Sequence, residues 1–309
     1  MTTSLTTFER RVRDWLLDLI YSHWGALGVP FSVERPVRSE EAIDPEALLW
    51  CSLEFLPTQP RLREQALGWW SDNSQALLLP RIRKFARGED EPRTSIWRAL
   101  DPKWKGSPSE PAVPCYGQSS VADLLGFCGN LAREQQQQGQ WQQRQQRPGK
   151  ASKTTANLIL RARDVLGNDA RHFILVYLLA NRGGAKLRSI ATWSGQSYRN
   201  ISKVAQRWES ANILTVEHGF ARLKAPPLWE ALLELDPPQI VLLNWQRFYD
   251  ACIALLRALA KAEAKSIPAN GAVVAGLLRE AADEAAASVE IPTDCETTRD
   301  FSLLLSNLR

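Results

Sequence analysis

No run of roughly eighteen apolar residues occurs anywhere in this sequence, which excludes a helix built to cross a bilayer. The opening segment MTTSLTTFERRVRDW lacks an uncharged apolar core ahead of a small-residue cleavage site. The expectation is a cytoplasmic protein with neither a signal peptide nor a membrane span. Cysteine is sparse: Cys51, Cys115, Cys128, Cys252 and Cys295 lie far apart, no two at metal-ligand spacing, and an odd number leaves one unpaired. That pattern predicts a reducing compartment and no zinc site. The three histidines, His23, His172 and His218, are isolated from one another and form neither a metal pair nor an acid–base pair.

Catalytic signatures are missing too. The chain has no glycine-rich phosphate loop followed by lysine, no histidines four apart and no nucleophile elbow. The acidic pairs Glu40-Glu41 and Glu89-Asp90 sit in loop-like sequence and read as solvated. No catalytic residue, metal or cofactor is therefore predicted, and the protein is expected not to be an enzyme.

What is present begins with size and composition. At 309 residues, 44% hydrophobic and 23% charged, the chain has the make-up of a globular protein with room for two or three cores. Twelve tryptophans imply much buried surface without saying against what. Charge is uneven: residues 151–226 carry 12 Lys and Arg against 4 Asp and Glu, whereas residues 227–309 carry 7 against 12. Such asymmetry points to a polyanionic partner for one segment only.

Hydrophobic spacing divides the chain into four parts. Residues 1–133 read as a helical N-terminal region, a sensor or partner-binding unit. Phe8, Val12, Trp15, Leu16, Leu19 and Ile20 form one helical face, Asp44-Pro45 starts a second helix, and QPRLREQALGWW and ALLLPRIRKFA supply two more. Within it, the proline-rich stretch 88–119 predicts a long loop, followed by a helix in VADLLGFCGNLARE. Residues 134–152, rich in glutamine, read as a linker with almost nothing apolar to bury.

Residues 227–309 read as a C-terminal helical region. There Val241, Trp245, Phe248, Cys252, Leu255, Leu259 and Ala262 make an apolar seam suited either to pairing two subunits or to packing on the protein's own core. An alanine-rich helix over 272–289 and an apolar tail, FSLLLSNLR, complete it.

The segment between, 153–226, holds the pattern with the sharpest implication. A helix capped by Thr154 or Thr155 ends at Gly167, and Asn168 caps a second, whose apolar face is Ala170, Phe173, Ile174, Tyr177 and Leu178. Then comes LRSIATWSGQSYRNISKVAQ: Ile190 and Ala191 provide the apolar and small positions of one short helix, Gly195 the turn, and Ile201 and Val204 the buried face of another. Ser194 and Gln196 depart from the apolar residues common at such positions. With Ile201, Val204, Ala205 and Trp208 inward, Arg199, Ser202, Lys203 and Gln206 point outward, beside Tyr198 and Asn200. Strand-like alternation over 213–217 and 220–223, joined by His218-Gly219, predicts a two-stranded hairpin carrying Arg222 and Lys224.

This order resembles the winged helix-turn-helix domain of bacterial transcriptional regulators, the broad type that includes the multiple-antibiotic-resistance and arsenic-repressor classes. The resemblance covers residues 154–226, about a quarter of the chain. It implies a mainly α, multi-domain protein: a central winged helix-turn-helix of three to four helices plus a small β-hairpin wing, flanked by helical regions. It further implies a DNA-binding set of Arg188, Ser197, Tyr198, Arg199, Asn200, Ser202, Lys203, Gln206, Arg207, His218, Arg222 and Lys224, with helix 197–209 in the major groove and wing 213–224 on the backbone. The expected function is a sequence-specific, double-stranded DNA-binding transcriptional regulator, a repressor acting as a homodimer. The alternative expectation is an antitoxin- or immunity-type partner of a toxin or defence protein. In it an unknown protein docks on the tryptophans of the N-terminal helices and DNA binding serves autoregulation.

Overall fold

The computed structural model describes residues 5–31, 40–87, 93–101, 128, 154–235, 240–264 and 276. The protein is mainly helical, with a small three-stranded antiparallel sheet and one two-residue parallel pair. Among the described residues no helix is long and apolar enough to cross a membrane. The helix expected over VADLLGFCGNLARE (apart from buried Cys128), the 134–152 linker, the alanine-rich 272–289 segment (apart from Gly276) and the C-terminal tail lie outside the described residues.

Among the described residues, two hydrophobic cores organise the fold. The first gathers α1 (Leu5–Ala26), α2 (Pro45–Ser52), α3 (Pro60–Asn73), α4 (Leu79–Phe85) and α5 (Arg93–Leu100). Helix α2 starts where the Asp44-Pro45 pair predicts: the Asp44 carboxylate accepts from the amides of Glu46 and Ala47, and proline occupies the first turn. Helix α5 corrects the expectation of an unbroken loop over 88–119. RTSIWRAL has no proline, and Ile96, Trp97 and Leu100 bury together, so packing supplies what a short isolated helix lacks.

The second core holds α6 (Leu158–Leu166), α7 (Ala170–Ala180), α8 (Leu187–Ser194), α9 (Tyr198–Ser210) and a sheet of β2 (Ala185–Lys186), β3 (Leu214–Glu217) and β4 (Phe220–Leu223), in the order β2-β4-β3. Helix α10 (Pro226–Leu232) follows. The predicted two-stranded hairpin is thus three-stranded, because β2, two residues without a pattern of their own, pairs with Ala221 and Phe220. Gly184 permits that pairing. It has φ +96°, and a Cβ there would lie 2.6 Å from the Ala221 carbonyl oxygen, so only glycine lets the chain approach β4 so closely.

Two local expectations change. The cap of α7 is Asp169, which accepts from the Arg171 amide, while the Asn168 amide instead donates to the carbonyls of Gln75 and Leu77 across the boundary with the first core. Neither Thr154 nor Thr155 makes a side-chain cap; a 3-10 turn over Thr155–Asn157 leads into α6. Nor is α7 one-faced: every residue from His172 to Leu179 is buried, as befits a helix surrounded by others.

The C-terminal seam resolves in favour of self-packing. Helix α11 (Trp245–Ala264) lies against α1 and α2, with Trp245, Phe248, Cys252, Leu255 and Leu259 in the first core. A seam filled from within the chain is not a surface for pairing subunits, which removes that ground for placing a dimer contact there. Val241 belongs instead to β5 (Val241–Leu242), parallel to β1 (Glu41–Ala42). These two strands thread between the cores, and the Trp245 indole donates to the Ala42 carbonyl while that of Trp193 donates to Leu243.

The tryptophans of the N-terminal helices are likewise committed internally. Trp24, Trp50 and Trp97 are among the largest fully buried side chains, Trp70 is buried, and Trp15 and Trp69 pack partly buried against the same core. They do not form the exposed partner surface expected in the alternative reading.

Candidate nucleic-acid interface

Helices α8 and α9 meet at Gly195, the left-handed residue that reverses the chain at φ +67°. Ser194, at a position commonly apolar in such units, is fully buried, and its hydroxyl donates to the Ile190 carbonyl at 2.7 Å and accepts from the Gln196 amide at 3.3 Å. The polar atom is therefore satisfied locally, and burial costs little. Ser197 caps α9 by accepting from the Asn200 amide at 3.2 Å. That role explains its presence without DNA, since such a cap contributes about 1 kcal/mol.

The periodicity of α9 is realised as predicted on its inner face: Ile201, Ala205 and Trp208 are buried and Val204 packs partly buried against the second core. Outward, Arg199, Lys203 and Gln206 fall at spacings of four and three, one exposed stripe, with exposed Arg207 beside it and Ser202 half-buried at its edge. Asn200 is exposed but its amide donates to the Gln196 side chain.

The hairpin turns at His218-Gly219, both with positive φ, as a tight two-residue connection requires. The Leu187 amide donates to the Gly219 carbonyl, tying the start of α8 to the hairpin tip. As a result Arg188, Tyr198 and His218-Gly219 gather at one end: the Arg188 guanidinium lies 5.7 Å from the centre of the Tyr198 ring, and Tyr198 is 46% exposed. Arg222 and Lys224 are placed elsewhere. Arg222 lies over Phe220 and donates to the Gly183 carbonyl, whereas Lys224 follows the end of the hairpin remote from its tip and bonds Asn212 just past α9.

The cationic surplus of residues 151–226 is also divided. Arg161 and Arg163 are buried, Arg171 pairs with Asp169, and Arg182 pairs with Glu230. Those left exposed without an ion pair among the described residues are Lys186, Arg188, Arg199, Lys203, Arg207, Arg222 and Lys224.

What holds the α8–α9 turn in place is not legible in the sequence. Arg81, on α4, donates from Nε to the Ser194 carbonyl at 3.0 Å and pairs with Asp44 and Glu46; Lys84 donates to the Gly195 carbonyl at 2.7 Å. Two cations thus cap the carboxyl end of α8, where free carbonyls and the helix dipole favour positive charge. Glu46 in turn receives a bidentate grip from Arg163, at 2.6 and 2.8 Å, and the Leu78 amide. Burial alone would raise the Glu46 carboxyl, but Arg163 and Arg81 prevail and hold it down at about 2. Arg163 also donates from Nε to His172 Nε2, and burial together with the Arg163 charge keeps that ring neutral. No short-range pattern marks these residues, because Glu46 and Arg163 are 117 positions apart.

Among the described residues no three His, Cys, Asp or Glu side chains are placed to hold a metal ion. Neither a protein-family model, nor a curated protein, nor a solved structure matches this chain.

Proposed function

We propose that residues 154–226 act as a winged helix-turn-helix and that the protein is a sequence-specific regulator binding double-stranded DNA, of the repressor kind. The observation that carries this is the outer stripe of α9. Arg199, Lys203 and Gln206 are exposed in one row, with neither cation of the row ion-paired among the described residues, and no described segment packs over them. In this reading the stripe enters the major groove, where arginine and lysine pair with guanine acceptors and glutamine with adenine. Arg188 and the hairpin tip meet the adjacent backbone, and the braced turn holds α9 at a constant angle.

Replacing Arg199 with alanine is expected to weaken specific binding by about 1–3 kcal/mol while leaving the thermal midpoint in place. Footprinting and a titration on a selected duplex measure it, and an unchanged footprint with unchanged affinity would remove α9 from the groove. By contrast Lys224→Ala, remote from the hairpin tip and bonded to Asn212, is expected to leave affinity and its salt dependence nearly as they were. A loss equal to that of Arg199→Ala would mean that the duplex lies along the other end of the hairpin.

A further inference from the structure

Beside the α8–α9 turn the surface opens into a cleft of about 460 Å³ that the winged-helix segment does not build by itself. Its walls include Lys84 from α4, Arg188 and Thr192 from α8, Gln196 from the turn, Tyr198 from α9 and Arg247 from the first turn of α11. Three cations from segments distant in sequence therefore converge on one hollow, and no carboxylate lines it. Like charges brought together repel unless an anion joins them.

The donors needed for an anion remain available. Lys84 uses one ammonium N–H on the Gly195 carbonyl and keeps two. Arg188 meets the Tyr198 ring, and neither it nor Arg247 has an ion-pair partner among the described residues. Arg247 is exposed; its backbone amide donates to the Asn244 side chain, and its guanidinium makes no hydrogen bond among the described residues.

Resting on the DNA-binding reading above, we propose that this cleft seats a backbone phosphate of the duplex that α9 reads. Helices α4 and α11 then belong to the DNA-contacting surface although both lie outside the resembling segment. The chemistry called for is a phosphate oxyanion, and two arguments favour a duplex as its source. The cleft is open, where a small-molecule site is largely enclosed. It also shares Arg188 and Tyr198 with the end of α9 and the hairpin tip, so a strand crossing the amino end of α9 passes over it.

The test is the salt dependence of binding by the full chain to two duplexes of unrelated sequence, each two to three helical turns long. Removing one cation that neutralises a phosphate lowers the slope of log K against log salt by about 0.9. Arg247→Gln, which breaks no side-chain interaction among the described residues, is expected to lower the slope by about 0.9 and to weaken both duplexes alike; Lys84→Gln combined with it is expected to lower it by about 1.8. Circular dichroism melting of each variant checks that the fold persists.

Should Arg247→Gln and the double variant keep the wild-type slope while Arg199→Ala still weakens binding, the cleft proposal falls and the DNA reading stands. Should the wild-type chain bind neither duplex at low salt, both fall. A calorimetric titration with inorganic pyrophosphate separates the remaining source. Saturable one-to-one binding abolished by Arg247→Gln, with the duplex slope unchanged, would assign the cleft to a small phosphorylated ligand and overturn the proposal.

Discussion

Glu46→Ala is expected to cost about 3–5 kcal/mol of folding stability, the toll of removing one partner from a buried ion-pair cluster. Glu46 is fully buried and is the acid on which Arg163 and Arg81 converge. Asp44 still neutralises Arg81 in the variant, at 2.5 Å, but Arg163 would keep its bonds only to the Ala76 carbonyl and His172. Urea unfolding checks this: the midpoint should fall with little change in slope. A loss below about 1 kcal/mol would mean that water or a rearranged Asp44 replaces the missing carboxylate. Glu46→Gln keeps the shape but not the charge and should also be strongly destabilising. Because Arg81 links this cluster to the Ser194 carbonyl, either variant should also loosen the α8–α9 turn, seen as faster amide hydrogen exchange there.

Acid should weaken the protein in two overlapping windows. His23 is wholly buried beside Tyr249 and Trp245, and burial lowers its pKa from 6.5 to about 3. Its ring therefore stays neutral in the folded chain where the unfolded chain already binds a proton. Above pH 6.5 that stability is intact; as pH falls from 6.5 toward 3 it is lost at about 1.4 kcal/mol per unit, about 2 kcal/mol by pH 5. His172 adds in the same direction: burial first, then the Arg163 charge, push its pKa well below 6.5. Glu46 acts lower down. Held at about 2 against an ordinary 4.5, its contribution is lost only as pH falls from 4.5 toward 2. Chemical denaturation at half-unit steps from pH 8 to pH 4 measures the first window. Equal stability at pH 7 and pH 5 would mean that the two rings protonate in place, and His23→Gln should reduce the slope by one proton.

The parts legible in advance were those whose signal is local. Asp44-Pro45 announced the start of α2, His218-Gly219 the hairpin turn, Gly195 the reversal between α8 and α9, and a period of 3.6 sorted α9 into buried Ile201, Ala205 and Trp208 and exposed Arg199, Lys203 and Gln206. The misreadings share one cause. Strand β2 has two residues, too few for a period, and exists because Gly184 lets it reach β4. Helix α5 lay in a stretch dominated by prolines to either side, where composition outweighed the short apolar run Ile96, Trp97 and Leu100.

Charge was the most deceptive signal. Counting residues 151–226 included Arg161 and Arg163 in the surplus that points to a polyanionic partner, yet both are interior and Arg163 belongs to the Glu46 cluster. A charge count sees sign and position in the chain, not depth.

Taken alone, the order of residues determined most of the described helices other than α5, where several of them begin, and which side of α9 is polar, since those depend on neighbours within one or two turns. Only the folded molecule decided that the α11 seam faces α1 and α2, that Arg81 and Lys84 hold the turn, and that Lys84, Arg188 and Arg247 share one cleft. Each of those contacts joins residues dozens to hundreds of positions apart, and at that separation a side chain's partner is chosen by how whole helices pack and not by any pattern in its own segment.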